Sequence, residues 1–371
     1  MKKAIVSVSN DLVSDQRVGK VCTSLHNMGY EVLLVGRKLP NSLALNRKYR
    51  TKRMSLLFKT GPLFYAEFMF RLFLFLVFRK ADVLVSNDLD TLLPNYLVSK
   101  LKGVKLVYDT HEYFTEVPEL QRNPVKKRIW KSVENFIFPK LKNVFTVNDS
   151  IANLYETEYK VKVNVLRNVP RINTSTLKQF SKEELGLPAD KKIIILQGAG
   201  INIDRGAEEA LAAMEWVNDA VLLIIGNGDV LEFLKEKAQE GKLKNKIIFK
   251  PKMHYQNLMD YTRVANIGLT LDKDSNINYR YSLPNKLFDY ISAGIAILAS
   301  PLVEVKRIVI EYQVGELVNS HNPKHIAEQL NNMLANENNL LRYKQNSLNA
   351  AEVLCWENEE KILMEVYNAL Q

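Results

Sequence analysis

Residues 193–228 read IIILQGAGINIDRGAEEALAAMEWVNDAVLLIIGNG in a chain of 371 residues. An apolar run at Ile193–Gln197 turns through Gly198-Ala199-Gly200, Arg205-Gly206 stands where a helix opens, and a second apolar run follows at Val221–Gly226. Continuous apolar strands with a helix between them belong to a parallel sheet buried on both faces. The alternation continues on both sides. Towards the C-terminus it predicts strands at Ile247–Lys250, Ile267–Leu271, Ile295–Ser300 and Gly315–Val318. Towards the N-terminus it predicts them at Ala4–Val8, Val32–Val35, Asp82–Ser86, Lys105–Tyr108, Asn143–Val147 and Lys162–Leu166. The chain is therefore read as two similar α/β units in tandem.

Helix signals fill the gaps between strands. Val18, Val21, Cys22, Leu25 and Met28 recur at three- and four-residue spacing up to Gly29, where a left-handed cap belongs. Asn123-Pro124 is a cap followed by proline at the first helical position. Between the units, residues 168–180 are polar and strand-free, and Ser181 to Glu184 form a capping box expected to open a short helix. The boundaries follow: a first domain at 1–168, a linker at 169–180 and a second domain at 181–371. The last stretch, 357–371, is helical, and its pattern leaves open whether it packs back on the first domain.

Composition excludes several classes. With 47% hydrophobic and 25% charged residues the chain is ordinarily globular, not disordered or coiled-coil. Two cysteines, Cys22 and Cys355, provide no disulfide framework, and a reducing cytoplasm is the expected compartment. The opening residues read as a first strand rather than a secretory leader. Leu63 to Phe78 is the most apolar stretch, but Glu67 and Arg71 interrupt it and it is too short to span a bilayer. It is expected to pack on the sheet, the alternative being an apolar edge in the bilayer interface.

Charge is uneven. Residues 1–170 hold 28 Lys/Arg against 15 Asp/Glu, a net +13, while residues 171–371 hold 23 against 26, a net −3. Arg37, Lys38, Arg47, Lys48, Arg50, Lys52, Arg53 and Lys59 lie between Val32 and Ala66 with no acidic residue among them. Such a stretch favours an anionic membrane surface, with nucleic acid the competing reading.

In open parallel sheets, ligands bind beyond the carboxyl ends of the strands. The turn after the first strand, Ser7-Val8-Ser9-Asn10-Asp11, has no glycine, which counts against a nicotinamide or flavin enzyme. Gly198 and Gly200 let the backbone approach a phosphate, and Arg205 is suited to grip a diphosphate. Pro284 opens another helix with Lys286 in its first turn, where a cation makes sense beside a bound anion. His111 follows a strand between Asp109 and Glu112. Asp88-Leu89-Asp90 and Asp272-Lys273-Asp274 imitate a metal-binding pair, and His321 with His325 a zinc pair lacking a third ligand; no metal is expected at either.

These residues carry a resemblance. Arg205-Gly206 at a helix start, Gly226-Asn227-Gly228 after the next strand and PNKLFDYISAG at 284–294 resemble the donor half of retaining glycosyltransferases of family 4, the group 1 enzymes. Asp15-Gln16-Arg17-Val18, NDLDTLLP at 87–94 and YDTHEYFTEVP at 108–118 extend it over the first half. The resemblance implies the GT-B arrangement, two Rossmann-like parallel-sheet domains facing a central cleft. It implies a nucleotide-diphosphate sugar as donor, bound by Gly198, Gly200, Arg205, Asn227, Gly228, Pro284, Asn285, Lys286 and Asp289, with Asp289 on the ribose. Asn10, Asp11, Asp15, Asp88 and Glu112 are expected on the acceptor side, and His111, Arg205 and Lys286 as the catalytic set.

The chain departs from the family pattern in two places. Relatives carry two glutamates separated by seven residues; here the second is Asp289 and the first position is Tyr281, which leaves the sugar contact to backbone groups of 282–285. Ile201 stands near the place of an expected arginine, so Lys286 would supply the second charge. The implied reaction is metal- and cofactor-free sugar transfer, with retention, to a glycan or lipid-linked acceptor in cell-surface polysaccharide synthesis. It would take place in the cytoplasm, peripherally on the membrane's cytoplasmic face. The rivals are a catalytically inactive nucleotide-sugar-binding subunit and a nucleic-acid-binding protein, although no nucleic acid is expected.

Overall fold

The computed structural model describes residues 1–13, 15–40, 42, 44–172 and 180–370. Most of the proposed linker, 173–179, lies outside the described residues. The chain forms two compact units, residues 1–168 together with the chain from Trp356, and residues 169–355. The first runs β1 (Lys3–Asp11), α1 (Gln16–Asn27), β2 (Glu31–Arg37), β3 (Arg50–Met54), α2 (Gly61–Val77), β4 (Val83–Asn87), α3 (Leu89–Lys102) and β5 (Lys105–Asp109). It continues through α4 (Pro118–Gln121), α5 (Pro124–Ile137), β6 (Val144–Thr146), α6 (Asp149–Tyr159) and β7 (Val163–Val165). All seven strands are parallel, in the order β3-β2-β1-β4-β5-β6-β7.

The second unit runs β8 (Lys192–Gly198), α7 (Ala207–Ala213), β9 (Ala220–Gly226), α8 (Leu231–Lys237), β10 (Ile247–Pro251), α9 (Tyr255–Arg263), β11 (Ile267–Thr270) and α10 (Ile277–Arg280). Then come α11 (Asn285–Ala293), β12 (Ala296–Ala299), α12 (Val303–Tyr312), β13 (Gly315–Leu317), α13 (Pro323–Ala335) and α14 (Glu337–Val353). Its sheet is parallel as well, in the order β10-β9-β8-β11-β12-β13. Apolar residues cover both of its faces, and at Gly268 a Cβ would meet the Tyr290 ring at 2.4 Å, so this strand position must be bare.

The last helix, α15 (Trp356–Ala369), belongs to the first unit rather than to a second domain running to the C-terminus. Trp356, Leu363 and Tyr367 join the core beneath α1; the Trp356 indole donates to Ser24 Oγ at 3.0 Å, and Glu359 binds Arg167 at 2.7 Å. Ser181 and Glu184 exchange the capping-box hydrogen bonds, but the chain makes only turns up to Gly186 and the expected short helix does not form. Gly186 has φ +68°, a conformation that ends a turn readily and does not propagate a helix. Among the described residues, no helix is long and apolar enough to cross a membrane.

Candidate active site

Ligand-binding positions in such sheets lie past the strands' carboxyl ends, and each unit gathers its chemistry there. In the second unit, β8 ends in the loop 198–206 and β9 in the loop 226–230. The two loops lie against each other: Ile201 N–H donates to Asn227 O at 2.9 Å, and Asn227 N–H to Gly198 O at 3.2 Å. A Cβ on Gly226 would fall 1.8 Å from Gly198 O, and one on Gly228 would fall 2.0 Å from Ile201 O. Gly226 and Gly228 are thus required by loop packing. Gly198 and Gly200 face no such contact, with nothing nearer than 3.8 and 3.6 Å.

Arg205 stands just before α7 and Lys286 in the first turn of α11, and both reach one carboxylate. Asp272, fully buried after β11, accepts from Arg205 Nη1 at 2.8 Å and pairs with Lys286 Nζ at 3.1 Å. Thr270 Oγ1 donates to it at 3.2 Å. Burial would raise the Asp272 pKa, but Lys286 and Arg205 hold it below the ordinary range. The Arg205 guanidinium lies 4.1 Å from the Tyr279 ring centroid, and its Nε meets no hydrogen-bond acceptor. Two cations converging on one carboxylate are positioned in advance for a larger anion.

The sequence reading missed Asp272 as this organiser, having set it aside with the apparent metal pair. Asp274 pairs with Arg280 at 3.0 Å, and Lys273 with Glu209 at 2.5 Å. His321 bonds Ser300, and His325 bonds Ser320. Among the described residues, no three potential ligands gather into a metal-holding group. Asp289, expected on the ribose, accepts from Tyr255 at 2.9 Å and Gln197 at 3.0 Å and is 8% exposed. Pro284 is the N-cap of α11, with Asn285 exposed beside it.

In the first unit, β1, β4 and β5 end together. Arg17, at the start of α1 and 2% exposed, grips Asp109 through Nη2 at 2.6 Å and Nε at 3.0 Å. His111 lies between two carboxylates, its Nδ1 3.3 Å from Asp88 and its Nε2 3.7 Å from Asp109. Burial pushes the imidazole pKa down, but those carboxylates overcome it and hold the value up at about 10, so His111 is a cation at neutral pH. Asp109 is held well below the carboxylate range by Arg17 and His111 against its burial.

Asp88 carries the backbone sign of a functional position. Its φ of 58° and ψ of 167° lie in a region that glycine alone enters freely, at a cost of about 1–3 kcal/mol. Two hydrogen bonds hold it there: its own N–H donates to Asp109 O at 2.9 Å, and its carboxylate accepts from His111 N–H at 3.0 Å. Asp90, set aside in the sequence as half of an apparent metal pair, is buried beside it with Ser9 on one oxygen and no partner on the other. Burial, with Asp88 near, pushes the Asp90 pKa up to about 7.

The remaining acceptor-side candidates divide. Asn10 is exposed at the end of β1, and Glu112 is half-buried beside His111. Asp15 caps α1, accepting from Val18 N–H at 3.0 Å. Asp11 is tied to Arg53 at 3.2 Å and to Val13 N–H at 3.0 Å. These last two secure the loop after β1, a structural duty that the sequence pattern does not separate from binding.

Two parallel-sheet α/β units in one chain are the architecture of the GT-B class of glycosyltransferases. The model of Glycosyltransferase Family 4 matches residues 16–171, and that of Glycosyl transferases group 1 matches residues 178–350. The chain belongs to the group 1, family 4 glycosyltransferases. A D-inositol 3-phosphate glycosyltransferase of Xylanimonas cellulosilytica is 21% identical over 53% of this chain, which spans about half (47%) of that relative's length. In fold the chain is similar to sucrose-phosphate synthase of Thermosynechococcus elongatus, with TM-score 0.81, 16% identity and coverage of 100% and 99% of the two chains. It is likewise similar to Anabaena HepE, determined in complex with UDP and glucose, with TM-score 0.75, 12% identity and full coverage of both chains.

Proposed function

We propose that the protein moves a sugar from a nucleoside-diphosphate sugar to a glycan or lipid-linked acceptor with retention of configuration, in cell-surface polysaccharide synthesis. The convergence of Arg205 and Lys286 on buried Asp272, beside the open Gly198-Ala199-Gly200 turn, carries this reading. Glycosyl transfer leaves negative charge on the departing diphosphate while the sugar becomes oxocarbenium-like. Two cations already held in place stabilise that charge without reorganising, which is the largest contribution most active sites make. Because Asp272 cancels one of them, the site offers a single net positive charge until a diphosphate arrives.

No metal is assigned to the step, because Arg205 and Lys286 occupy the position where charge develops. His111, cationic between Asp88 and Asp109, is assigned to the transferred sugar. Asn10, Asp88 and Glu112 are assigned to the acceptor, which the enzyme would meet as a peripheral protein on the cytoplasmic face of the membrane.

A thermal-shift screen of nucleoside diphosphates tests the donor reading, because a ligand of the folded state raises stability by RT ln(1 + [L]/Kd). UDP, the ligand of the similar Anabaena protein, is the first probe. A shift with one diphosphate that disappears in Arg205→Ala supports the reading; indifference to all of them sinks it.

A further inference from the structure

Helices α2, α3 and α5 of the first unit pack side by side, α2 on α3 and α3 on α5. Their inner faces are ordinary core: on α2, Phe64, Phe68, Leu72 and Leu76 recur every fourth residue and are buried. The outer side is the unusual one. Leu63, Phe70 and Leu74 of α2, Leu101 of α3, and Ile129 and Phe136 of α5 are between 38 and 67% exposed. At spacings of 7 and 4 residues the three on α2 fall within about 40° of one another around the helix, a stripe opposed to the buried one. Exposed apolar area gathered in this way marks an interaction surface.

The two charges that interrupt the apolar run of α2 extend this surface. Glu67 accepts the backbone N–H groups of Leu57 at 2.9 Å and Phe58 at 2.9 Å. Arg71 binds Glu67 at 2.8 Å and donates to Ser55 O at 3.1 Å. Together they clip the preceding loop to the helix, with Leu57 79% and Phe58 44% exposed. Glu67 is thereby withdrawn from water, its side chain 11% exposed, while Arg71 stays 44% exposed.

Charge then decides the occupant. The three helices contain three acidic residues; Asp90 and Glu134 are buried, and the Glu67 carboxylate is 11% exposed and engaged as described. They contain seven cations, of which Arg71, Lys100, Lys102, Lys126 and Arg128 are exposed, and exposed Arg79 and Lys80 follow α2 directly. An apolar centre on helices that carry exposed cations and no exposed acid, with the exposed acid Glu119 of α4 beside them, matches the interface of an anionic bilayer, where rings and aliphatic chains enter the headgroup region and cations meet phosphates. A second copy of the chain fits poorly, since a two-fold contact would set these cations against their own copies.

We propose that the outer face of α2, α3 and α5, with the clipped loop at 55–58, docks on the surface of an anionic lipid bilayer. The proposed contact is this apolar face with its own cations, not the eight cations of the basic stretch at 32–66, three of which are engaged within the fold. There Arg37 lies over the Phe64 ring, Arg50 pairs with Glu31, and Arg53 pairs with Asp11. The proposal stands on this surface alone and does not require the transferase reading.

Co-sedimentation of the full chain tests it, with vesicles of phosphatidylcholine alone or with about a third phosphatidylglycerol. The parent is expected to bind the anionic vesicles only. Leu63→Ser/Phe70→Ser/Ile129→Ser should weaken binding at least about tenfold at every salt concentration, because apolar area is lost. Lys126→Gln/Arg128→Gln should cost about fivefold per charge, at low salt only. Arg47→Gln/Lys48→Gln/Lys52→Gln should bind as the parent does. All three sets alter exposed side chains; should the triple serine variant melt early, Phe70→Gln alone takes its place. Absence of parent binding at low salt overturns the proposal, as does undiminished binding by the serine variant. So does a dimer in light scattering that the serine variant disperses.

Discussion

The two sheets have the same strand order up to one extra edge strand, β3-β2-β1-β4-β5-β6 in the first unit and β10-β9-β8-β11-β12-β13 in the second, yet their carboxyl edges are electrostatic opposites. In the first, the cations Arg17 and His111 are enclosed by the carboxylates Asp109 and Asp88. In the second, the carboxylate Asp272 is enclosed by the cations Arg205 and Lys286. Topology therefore places the site, and the sign of the buried charge decides what the site can receive. A buried cation surrounded by acids offers acceptor oxygens, which suit hydroxyl groups. A buried acid surrounded by cations offers N–H donors, which suit a diphosphate.

The largest effect expected from this contrast is structural. Asp109→Asn leaves the Arg17 charge buried without its partner, and losing one member of a buried pair costs about 3–5 kcal/mol. Denaturant unfolding of the variant should show that loss, or the first unit should fail to fold. A change under about 1 kcal/mol would mean that water reaches Arg17, and the description of the first edge as an enclosed cation would be wrong.

In the second unit the same kind of deletion should act on binding. Arg205→Ala removes a charge-assisted contact worth about 1.5–3 kcal/mol, or roughly 10- to 150-fold in nucleoside-diphosphate affinity by calorimetry. Arg205→Lys should recover only part of it, since the bidentate geometry is gone. His111→Ala provides the counterpart: diphosphate affinity should remain and turnover should fall. If affinity moved with His111 and not with Arg205, the two edges would have been assigned the wrong way round.

Titration sharpens the comparison. The His111 pKa is raised in the folded chain, from an ordinary value near 6.5 to about 10, so its stabilising effect is complete below about 6.5 and is lost as pH rises towards 10. Asp109 is depressed, so its contribution is present above its ordinary range near 4 and is lost as acid is added. Asp90, raised to about 7, runs in the direction of His111 and against Asp109: the fold holds its proton, and stability drains as pH rises from about 4 to 7. Stability of His111→Gln measured against pH should lack the alkaline decline, and Asp90→Asn should lack the loss between pH 4 and 7. Parent-like profiles in both variants would remove the charge cluster as the origin of either slope.

The sequence-legible part of the molecule is the part governed by apolar periodicity. All twelve expected strands form; nine are mainly buried, and β7, β10 and β13 are partly buried. β3 was invisible for want of an apolar run: Arg-Thr-Lys-Arg-Met is an edge strand, bonded to β2 alone and largely exposed, and its charges serve to keep the edge from pairing further. The place of α15 was illegible because Trp356, Leu363 and Tyr367 define an apolar face without naming its partner. At the sites, Arg205, Lys286 and His111 could be read from their positions after strands and at helix starts. The carboxylates that hold them could not. Asp272 lies 67 residues from Arg205, and Asp109 lies 92 from Arg17, and no local spacing records such pairings.

The smallest expected effect separates two kinds of glycine on the second edge. Gly226 cannot be replaced, since a Cβ there would collide with Gly198 O and its φ is +149°. Gly200 has no strained backbone angle, and the nearest atom to a Cβ would be Asn202 Nδ2 at 3.6 Å, an ordinary contact. Gly200→Ala should therefore leave the fold unchanged or firmer by about 0.4–1 kcal/mol, through the lower entropy of the unfolded chain. If the turn is bare because a phosphate lies against it, the added methyl should still weaken nucleoside-diphosphate binding several-fold. A variant with raised melting temperature and lowered affinity would place the ligand at this turn. One that binds as the parent does would move the diphosphate off Gly200 and leave Arg205 and Lys286 to hold it alone.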